Sequence, residues 1–148
     1  MIDLINHTNG GFLVSQIKQI QGRIFEKLLL EAGIEEFNGA QGRILFVLWQ
    51  ENDLPIVELS KRTGLAKTTL TNMIDRMENQ GHIIRNYDSK DRRQIRITLT
   101  EKTRALEEAY NRVSEQMNQI FYANFSDEDI LSFESALIKI LNNLKERE

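Results

Sequence analysis

Basic and hydroxyl-bearing side chains gather in one part of the chain, residues 55–100. One group lies on the polar face of a predicted helix and comprises Lys67, Thr68, Thr69, Thr71, Asn72 and Arg76. A second group lies in the polar, turn-rich segment that follows and comprises Lys90, Arg92 and Arg93. Short polar side chains near a helix N-terminus can reach base edges in the DNA major groove, and Lys and Arg pair with phosphates or guanine. These residues therefore predict non-covalent recognition of duplex DNA.

The first group is positioned by the second of two predicted short helices. The apolar residues of that helix recur at intervals of three and four, which indicates one buried stripe: Leu70, Met73, Ile74 and Met77. The preceding helix has an apolar face of its own: Ile56, Val57 and Leu59. Pro55 suits the first position of that helix, Gly64 ends it, and Gly81 ends the second helix. The pattern predicts a helix-turn-helix, although an ordinary amphipathic surface helix would show the same period.

The second group lies in a predicted β-hairpin, or wing. Residues 82–85 form its first strand and residues 86–93 its tip. The second strand, residues 94–99, turns Ile95, Ile97 and Leu99 inward. Arg85 and Arg96 add cations on the arms, and so many like charges would repel one another unless phosphates neutralised them. The wing therefore favours DNA binding and a winged helix-turn-helix.

The wing also carries a family motif. The pattern D-x-x-D-x-R, followed by a strand that ends in Leu-Thr, is present as Asp88, Asp91, Arg93, Leu99 and Thr100. On these residues the chain resembles the multiple-antibiotic-resistance regulator (MarR) family of transcription factors. The resemblance implies two helices before the DNA-binding lobe and two long helices after it. It also implies that Arg93 enters the minor groove and that Asp91 supports it.

Two positions depart from the pattern of that family. Ala66 stands where the family often has a Ser or Asp that caps the recognition helix, and Thr103 stands where a Gly often follows the Leu-Thr pair. Neither position is on the predicted DNA-reading face. Ala66 implies a weaker N-cap, by about 1 kcal/mol relative to Ser.

The remaining segments are predicted to be helical. A broad apolar stripe predicts a helix over residues 12–30, Asn38 and Gln41 predict an N-cap, Thr100 begins a long helix, and Ser126 begins the last one. We expect a single mainly α domain of residues 1–148 with a small β-hairpin wing. Residues 37–100 form the DNA-binding lobe, and residues 1–36 and 101–148 form a helical dimerisation region.

The apolar stripes outside the lobe exceed what a lobe of this size can cover. A homodimer is the interpretation we prefer, because two recognition helices can read a pseudo-palindromic operator in successive major grooves. A monomeric helical bundle with a winged appendage is the alternative.

The net charge of −3 is unevenly distributed along the chain. Residues 55–99 hold nine Lys/Arg and five Asp/Glu and carry +4, whereas the other ten basic and 17 acidic residues carry −7. The basic segment would orient the molecule on DNA, and we expect affinity to fall steeply with salt.

Composition excludes several classes of site. The chain has no cysteine, which excludes disulfides, thiolate metal sites and thiol-based peroxide sensing. The polar first residues lack a basic start and an apolar run, so we expect no signal peptide, no membrane span and a cytoplasmic location. His7 and His82 are far apart in sequence and predict no metal site; for His82, at the start of the wing, we expect a partly exposed packing role. No cofactor is predicted.

The resemblance further implies a small aromatic or phenolic effector that binds between the dimerisation helices and the lobe. Phe12, Phe46, Trp49 and Tyr110 could line such a cleft, and Arg23 or Arg43 could meet an anionic ligand. Aromatic residues at helical spacing belong to a core more often than to a pocket.

The sequence lacks the residues that catalysis would require: a nucleophile with a base, a paired-carboxylate cleft or a phosphate-binding glycine loop. We therefore predict no enzyme but a sequence-specific DNA-binding transcriptional regulator. Within that class we favour a repressor that a small ligand releases. The alternative is a winged-helix module that docks proteins without sequence-specific DNA binding.

Overall fold

The computed structural model describes residues 3–148, which form helices and one small sheet. A short 3-10 helix, Leu4–His7, comes first. The elements that follow are α1 (Gly10–Glu31), α2 (Gly39–Gln50), β1 (Leu54–Pro55), α3 (Ile56–Thr63), α4 (Lys67–Asn79), β2 (Ile83–Tyr87), β3 (Ile95–Leu99), α5 (Glu101–Arg104), α6 (Glu107–Phe121) and α7 (Asp127–Lys145). Contacts group the chain into two compact units, residues 3–114 and 115–148. The assignment of a DNA-binding lobe and a dimerisation region stays a prediction.

The sheet has three antiparallel strands in the order β1-β3-β2. β2 and β3 form the predicted hairpin, with Ile83 opposite Leu99 and Tyr87 opposite Ile95. β1 was not predicted, because two residues are too few to show an alternating pattern. It places Leu54 opposite Ile97 and Pro55 opposite Arg96. The hairpin is therefore paired to the chain segment that leads directly into α3.

The helix-turn-helix forms as the glycines predict, with one correction at its start. Gly64 and Gly81 adopt positive φ angles of 74° and 82°, beyond the ends of α3 and α4. Pro55 is the N-cap of α3 and also belongs to β1, so the prediction that it occupies the first helical position was wrong. Ala66 is the N-cap of α4 and, as expected from its side chain, makes no capping hydrogen bond.

The core of the first unit lies between α2, α3, α4 and the sheet. Its fully buried side chains include Ile44, Leu45, Leu48, Leu59, Leu70, Ile74, Met77 and Ile97. Asn38 and Gln41 form the predicted capping box at the start of α2. A Cβ atom at Gly42 would lie 2.7 Å from Cε2 of Tyr110, so the absence of a side chain there lets α2 approach that ring.

The long helix predicted from Thr100 is interrupted. Thr100 does cap a helix, but α5 ends at Arg104 and α6 begins at Glu107. At the break, the backbone O of Thr103 accepts hydrogen bonds from Trp49 Nε1, at 3.2 Å, and from the backbone N of Leu106, at 3.1 Å. Because the Leu106 bond spans three residues instead of four, the turn tightens and the α-helix stops there.

The second unit consists of the end of α6, a turn and α7, with an aromatic cluster beside the turn. Asn124 takes a φ angle of 68°, and Ser126 and Asp129 form a capping box at the start of α7, as predicted. Phe121, Tyr122, Phe125 and Phe133 pack ring against ring, with centroid distances of 4.9–6.2 Å. The Tyr122 hydroxyl donates to Glu134 at 2.6 Å, and burial together with this carboxylate raises the pKa of Tyr122 to about 12.

The outer helices leave many apolar side chains uncovered in the single chain. On α1 these are Phe12, Leu13, Val14, Ile17, Ile20 and Leu30, and on α7 they are Leu131, Ile138, Ile140, Leu141 and Leu144. Within residues 3–148, no helix is both long enough and apolar enough to cross a membrane.

Candidate nucleic-acid interface

The recognition helix, α4, presents its predicted polar face to solvent because its opposite face is fixed in the core. Leu70, Ile74 and Met77 are each 0% exposed. The side chains on the other side are exposed at Lys67, Thr68, Thr69, Asn72 and Arg76 and half-buried at Thr71. The structure thus brings the six predicted residues of α4 together on one accessible face.

One of the six has less hydrogen-bonding capacity than the sequence indicates. The Thr71 hydroxyl donates to the backbone O of Lys67 at 2.8 Å. Its proton is therefore engaged inside the helix, and its oxygen is left as an acceptor. The other three uncharged residues of the set, Thr68, Thr69 and Asn72, keep side-chain donors that make no hydrogen bond within residues 3–148.

The tip of the wing is organised by two aspartates. Asp88 Oδ1 accepts hydrogen bonds from the backbone N atoms of Lys90, at 2.8 Å, and Asp91, at 3.2 Å. The hydrogen bond from Lys90 is the largest cause that lowers the pKa of Asp88, and the bonds from Asp91 and Arg96 act in the same direction. Asp88 therefore holds the turn best as a carboxylate.

The second aspartate contacts the arginine that follows it. Asp91 Oδ1 accepts from the backbone N of Arg93, at 3.0 Å, and from its Nε, at 3.2 Å. The Arg93 side chain is still 92% exposed. This geometry is compatible with the predicted support of Arg93 by Asp91, because the guanidinium is oriented but remains accessible.

The two cations on the wing arms are engaged inside the protein, contrary to the expectation that phosphates would neutralise them. Arg85 pairs with Asp75 and Glu78 of α4. Arg96 Nε lies 2.8 Å from Asp53 Oδ1 and its Nη1 lies 3.2 Å from Asp88 Oδ2. The hydrogen bond from Arg96 to Asp53 is the largest cause that raises the pKa of Arg96.

These two arginines join the wing to the rest of the first unit. Arg85 fastens β2 to the recognition helix, and Arg96 fastens β3 to the turn before β1 and to the wing tip. Sequence alternation places Arg96 outward but does not reveal a partner 43 residues away. Lys67, Arg76, Lys90 and Arg92, in contrast, make no ion pair among residues 3–148.

His82 is a buried connector, and the expectation of a partly exposed packing role was wrong. It is 1% exposed. Its Nδ1 lies 3.0 Å from Thr103 Oγ1, and its Nε2 lies 2.7 Å from the backbone O of Glu36. His82 thus links the start of the wing to α5 and to the segment before α2, which explains why a polar side chain occupies this part of the core.

The four aromatic residues predicted to line an effector cleft do not all come together. Tyr110 lies 5.1 Å from Trp49 and 6.3 Å from Phe46, measured between ring centroids. Phe12 is 72% exposed and takes part in none of the ring contacts of residues 3–148. Tyr110 is 5% exposed, and burial raises its pKa. Tyr110 is therefore a core residue in this conformation.

An open cavity of about 450 Å³ lies next to this cluster. Trp49 lines it together with Leu48, Asn52, Leu99, Glu101 and Arg104. Phe12, Phe46 and Tyr110 are not in its lining. In the part of the chain that the structure describes, no group of three or more His, Cys, Asp or Glu residues is arranged to hold a metal ion.

Known proteins are similar to this chain in sequence and in fold. A model of the MarR family matches residues 37–95. YsmB of Bacillus subtilis, an uncharacterised HTH-type transcriptional regulator, is 36% identical over 101 residues, which are 68% of this chain and 68% of that protein. TtmR of Methylorubrum extorquens, also an HTH-type transcriptional regulator, is 39% identical over 85 residues; the match spans 57% of this chain and only 42% of TtmR.

Two solved structures extend the likeness to nearly the whole chain. A MarR mutant from E. coli in complex with operator DNA has a TM-score of 0.80 at 22% identity, covering 95% of this chain and 99% of that one. Reduced AbfR bound to DNA has a TM-score of 0.72 at 27% identity, covering 95% and 93%. AbfR is a protein of Staphylococcus epidermidis.

A recognition helix and a basic wing on one small sheet define a winged helix-turn-helix protein, as the sequence predicts. The matches to the family model and to YsmB go further: the chain belongs to the MarR family of transcriptional regulators. The family consists of regulators, so the prediction that the chain is not an enzyme is confirmed.

Proposed function

We propose that this protein is a sequence-specific DNA-binding regulator that represses transcription as a homodimer. The observation that carries the proposal is a set of cations on α4 and the wing tip that make no ion pair with the residues described here, 3–148: Lys67, Arg76, Lys90 and Arg92. Arg85 fastens those two elements to each other, so α4 and the wing can meet one duplex at the same time.

Each element has a separate role in the proposed complex. Thr68, Thr69 and Asn72 read base edges in the major groove, where their side chains can donate and accept hydrogen bonds. Lys67, Arg76, Lys90 and Arg92 contact phosphates. Arg93, supported by Asp91, enters the minor groove. Base contacts supply the preference for one operator, and phosphate contacts supply most of the affinity.

Dimerisation is proposed from the exposed apolar side chains of the outer helices. On α1, Leu13 and Val14 are each 50% exposed, and on α7, Leu141 is 49% exposed. Exposed apolar side chains at helical spacing favour burial against a second copy of the chain. A two-fold dimer would carry two recognition helices to half-sites about one helical turn of DNA apart, which fits a pseudo-palindromic operator.

Repression and release are the further parts of the proposal. A dimer that occupies a promoter blocks polymerase without any dedicated activation surface. A small aromatic or phenolic ligand in the cavity beside Trp49 would favour a spacing of the recognition helices that does not fit DNA. Because the chromosome is the proposed partner, the protein would act in the cytoplasm.

Titration of duplex DNA at two salt concentrations tests the proposal. The duplexes are the region upstream of its own gene and a scrambled sequence of equal length, at about 50 and 200 mM salt. We expect tighter binding to the natural duplex, and weaker binding to both at the higher salt because phosphate contacts release counterions. Replacement of Thr69 or Asn72 by Ala should reduce the difference between the duplexes.

The same titration separates the competing function. A winged-helix module that only docks proteins would bind neither duplex in a salt-dependent manner, and that result would exclude the proposal.

Effector binding has its own readout, because Trp49 is the one tryptophan in the sequence. A phenolic ligand in the neighbouring cavity should change the fluorescence of Trp49 and weaken DNA binding over the same range of ligand concentration.

A further inference from the structure

Tyr87 is a wing residue that belongs neither to the polar face of α4 nor to the wing motif. Its side chain is 74% exposed, the highest exposure of any aromatic side chain in residues 3–148. Tyr87 is the last residue of β2 and lies opposite Ile95 of β3. An aromatic ring in water, at the base of a cationic wing tip, requires an explanation.

The alternation of side chains along β2 defines the direction of this ring. Ile83, Arg85 and Tyr87 share one face of the strand, because successive strand residues point to opposite sides. Ile83 is 2% exposed and belongs to the core. Arg85 reaches Asp75 and Glu78 on α4. Tyr87 therefore lies on the same side of the sheet as the recognition helix, beyond the end of the core.

The position of Tyr87 along α4 follows from the pairing of Arg85. Because Arg85 contacts Asp75, ten residues earlier, β2 runs back along α4. Two strand residues advance by about 6.6 Å, close to the rise of four helical residues. Tyr87 is therefore about level with Thr71, between the polar face of α4 and the wing tip. When α4 lies in the major groove, this strip of surface between α4 and the wing tip faces the sugar–phosphate backbone.

We propose that Tyr87 is a DNA-contacting residue whose hydroxyl donates a hydrogen bond to a backbone phosphate oxygen between the two grooves. The ring packs on the adjacent sugar, which removes its apolar surface from water. Tyrosine hydroxyls are among the donors that proteins use for phosphate. Arg85, on the same face, is already paired with α4, so Tyr87 supplies the phosphate contact of this strip. The inference rests on the proposed DNA-binding function.

The test compares wild type with Tyr87→Phe and Tyr87→Ala on the natural and scrambled duplexes at both salt concentrations. Tyr87→Phe removes only the hydroxyl and should weaken binding to both duplexes by roughly tenfold to hundredfold, the effect of one hydrogen bond to a charged acceptor. Tyr87→Ala should weaken it further. The slope of log affinity against log salt should stay at the wild-type value, because no charge is removed.

A matched control lies next to it on the strand. Ile84 is 46% exposed and points to the opposite face of β2, so Ile84→Ala should bind both duplexes as wild type does. Thermal midpoints of the Tyr87 variants should equal that of wild type, because the side chain is in solvent.

Three outcomes would overturn the inference. If wild type binds DNA with salt dependence and both Tyr87 variants bind equally well, Tyr87 makes no contact and only this inference fails. A loss confined to the natural duplex would mean that Tyr87 reads a base instead of a phosphate. If wild type itself binds neither duplex, the proposed function and this inference fail together.

Discussion

The arginines of the wing differ in what they contact, and this difference separates structural roles from the proposed DNA-binding role. Arg85 and Arg96 are 27% and 28% exposed and lie in ion pairs within the first unit. Arg93 is 92% exposed, although Asp91 contacts it. Residue type and spacing were enough to predict the polar face of α4 and the cationic tip. They could not assign Arg85 and Arg96, because their partners are fixed by the fold.

Replacement of Arg93 by Ala should weaken DNA binding without lowering stability. We expect a loss of about 1–3 kcal/mol in binding free energy and a salt slope smaller by about one, because one cation leaves the interface. Fluorescence anisotropy at several salt concentrations measures both quantities. Arg96→Ala is the comparison: it should also weaken binding, but with a lower thermal midpoint because Arg96 fastens the wing. Wild-type affinity in Arg93→Ala would refute its role.

Asp88 should make the stability of the wing depend on acid pH. Its folded-state pKa lies below the ordinary Asp value, so its contribution is complete above that value and is lost as the pH falls through the lowered pKa. The stability difference between wild type and Asp88→Asn should therefore be constant near neutral pH and shrink in acid. Thermal unfolding from about pH 7 down to about pH 3, which is below the ordinary Asp pKa, measures this difference. A difference that grows in acid would contradict this sign.

At the scale of elements, caps and turn residues were more informative than periodicity. Asn38, Gly64, Gly81 and Ser126 each mark a helix boundary that the structure has. β1 and the break before α6 were missed, because β1 consists of two residues and the break lies where a side chain 54 residues away, Trp49, donates to the backbone O of Thr103. Local signals predict where helices begin and end, but not where a distant side chain interrupts them.

The buried position of His82 predicts a large loss of stability on replacement by Leu. The backbone O of Glu36 would lose its partner, and the Thr103 hydroxyl would keep only Thr100 nearby. We expect destabilisation by about 2–4 kcal/mol, measured by chemical denaturation. The control is His7→Leu, an exposed position, which should stay within about 0.5 kcal/mol of wild type. Equal stability of the two variants would show that the His82 hydrogen bonds contribute nothing.

The N-cap of the recognition helix offers a stabilising substitution. Ala66 has the extended backbone of an N-cap, with φ −61° and ψ 146°, but no side-chain acceptor. Ala66→Ser should add about 0.5–1 kcal/mol and raise the thermal midpoint by about 2–4 °C per kcal/mol. The control Ala40→Ser lies within the first turn of α2, which Asn38 already caps. An unchanged midpoint for Ala66→Ser would mean that solvent already satisfies these backbone N–H groups.

At the scale of the whole molecule, the single chain leaves exposed the apolar surface on α1 and α7 that the apolar stripes in the sequence had indicated as excess. The sequence could predict the presence of this surface from apolar spacing. It could not predict which face a second copy would cover, because that depends on packing between chains.

Dimerisation should be lost when charge is placed on this surface. Leu13→Glu and Leu141→Glu introduce a carboxylate at sites that are 50% and 49% exposed, where burial in an interface would be costly. We expect a monomer in sedimentation equilibrium and a large loss of operator affinity, because two linked half-sites become one. Val57→Glu, 53% exposed on α3, should leave the oligomeric state unchanged. A dimer in all three variants would argue for another interface.

The pairing of β1 with β3 would limit how the proposed ligand could act on this regulator. β3 is held on one side by β2, on the other by β1, and at Arg96 by the turn that contains Asp53. β1 continues directly into α3, and Arg85 ties β2 to α4. These contacts tie the hairpin to α3 and α4. A ligand that releases DNA as proposed would therefore have to move the hairpin, α3 and α4 together, so that the proposed major-groove and minor-groove contacts of each half-site are lost at the same time.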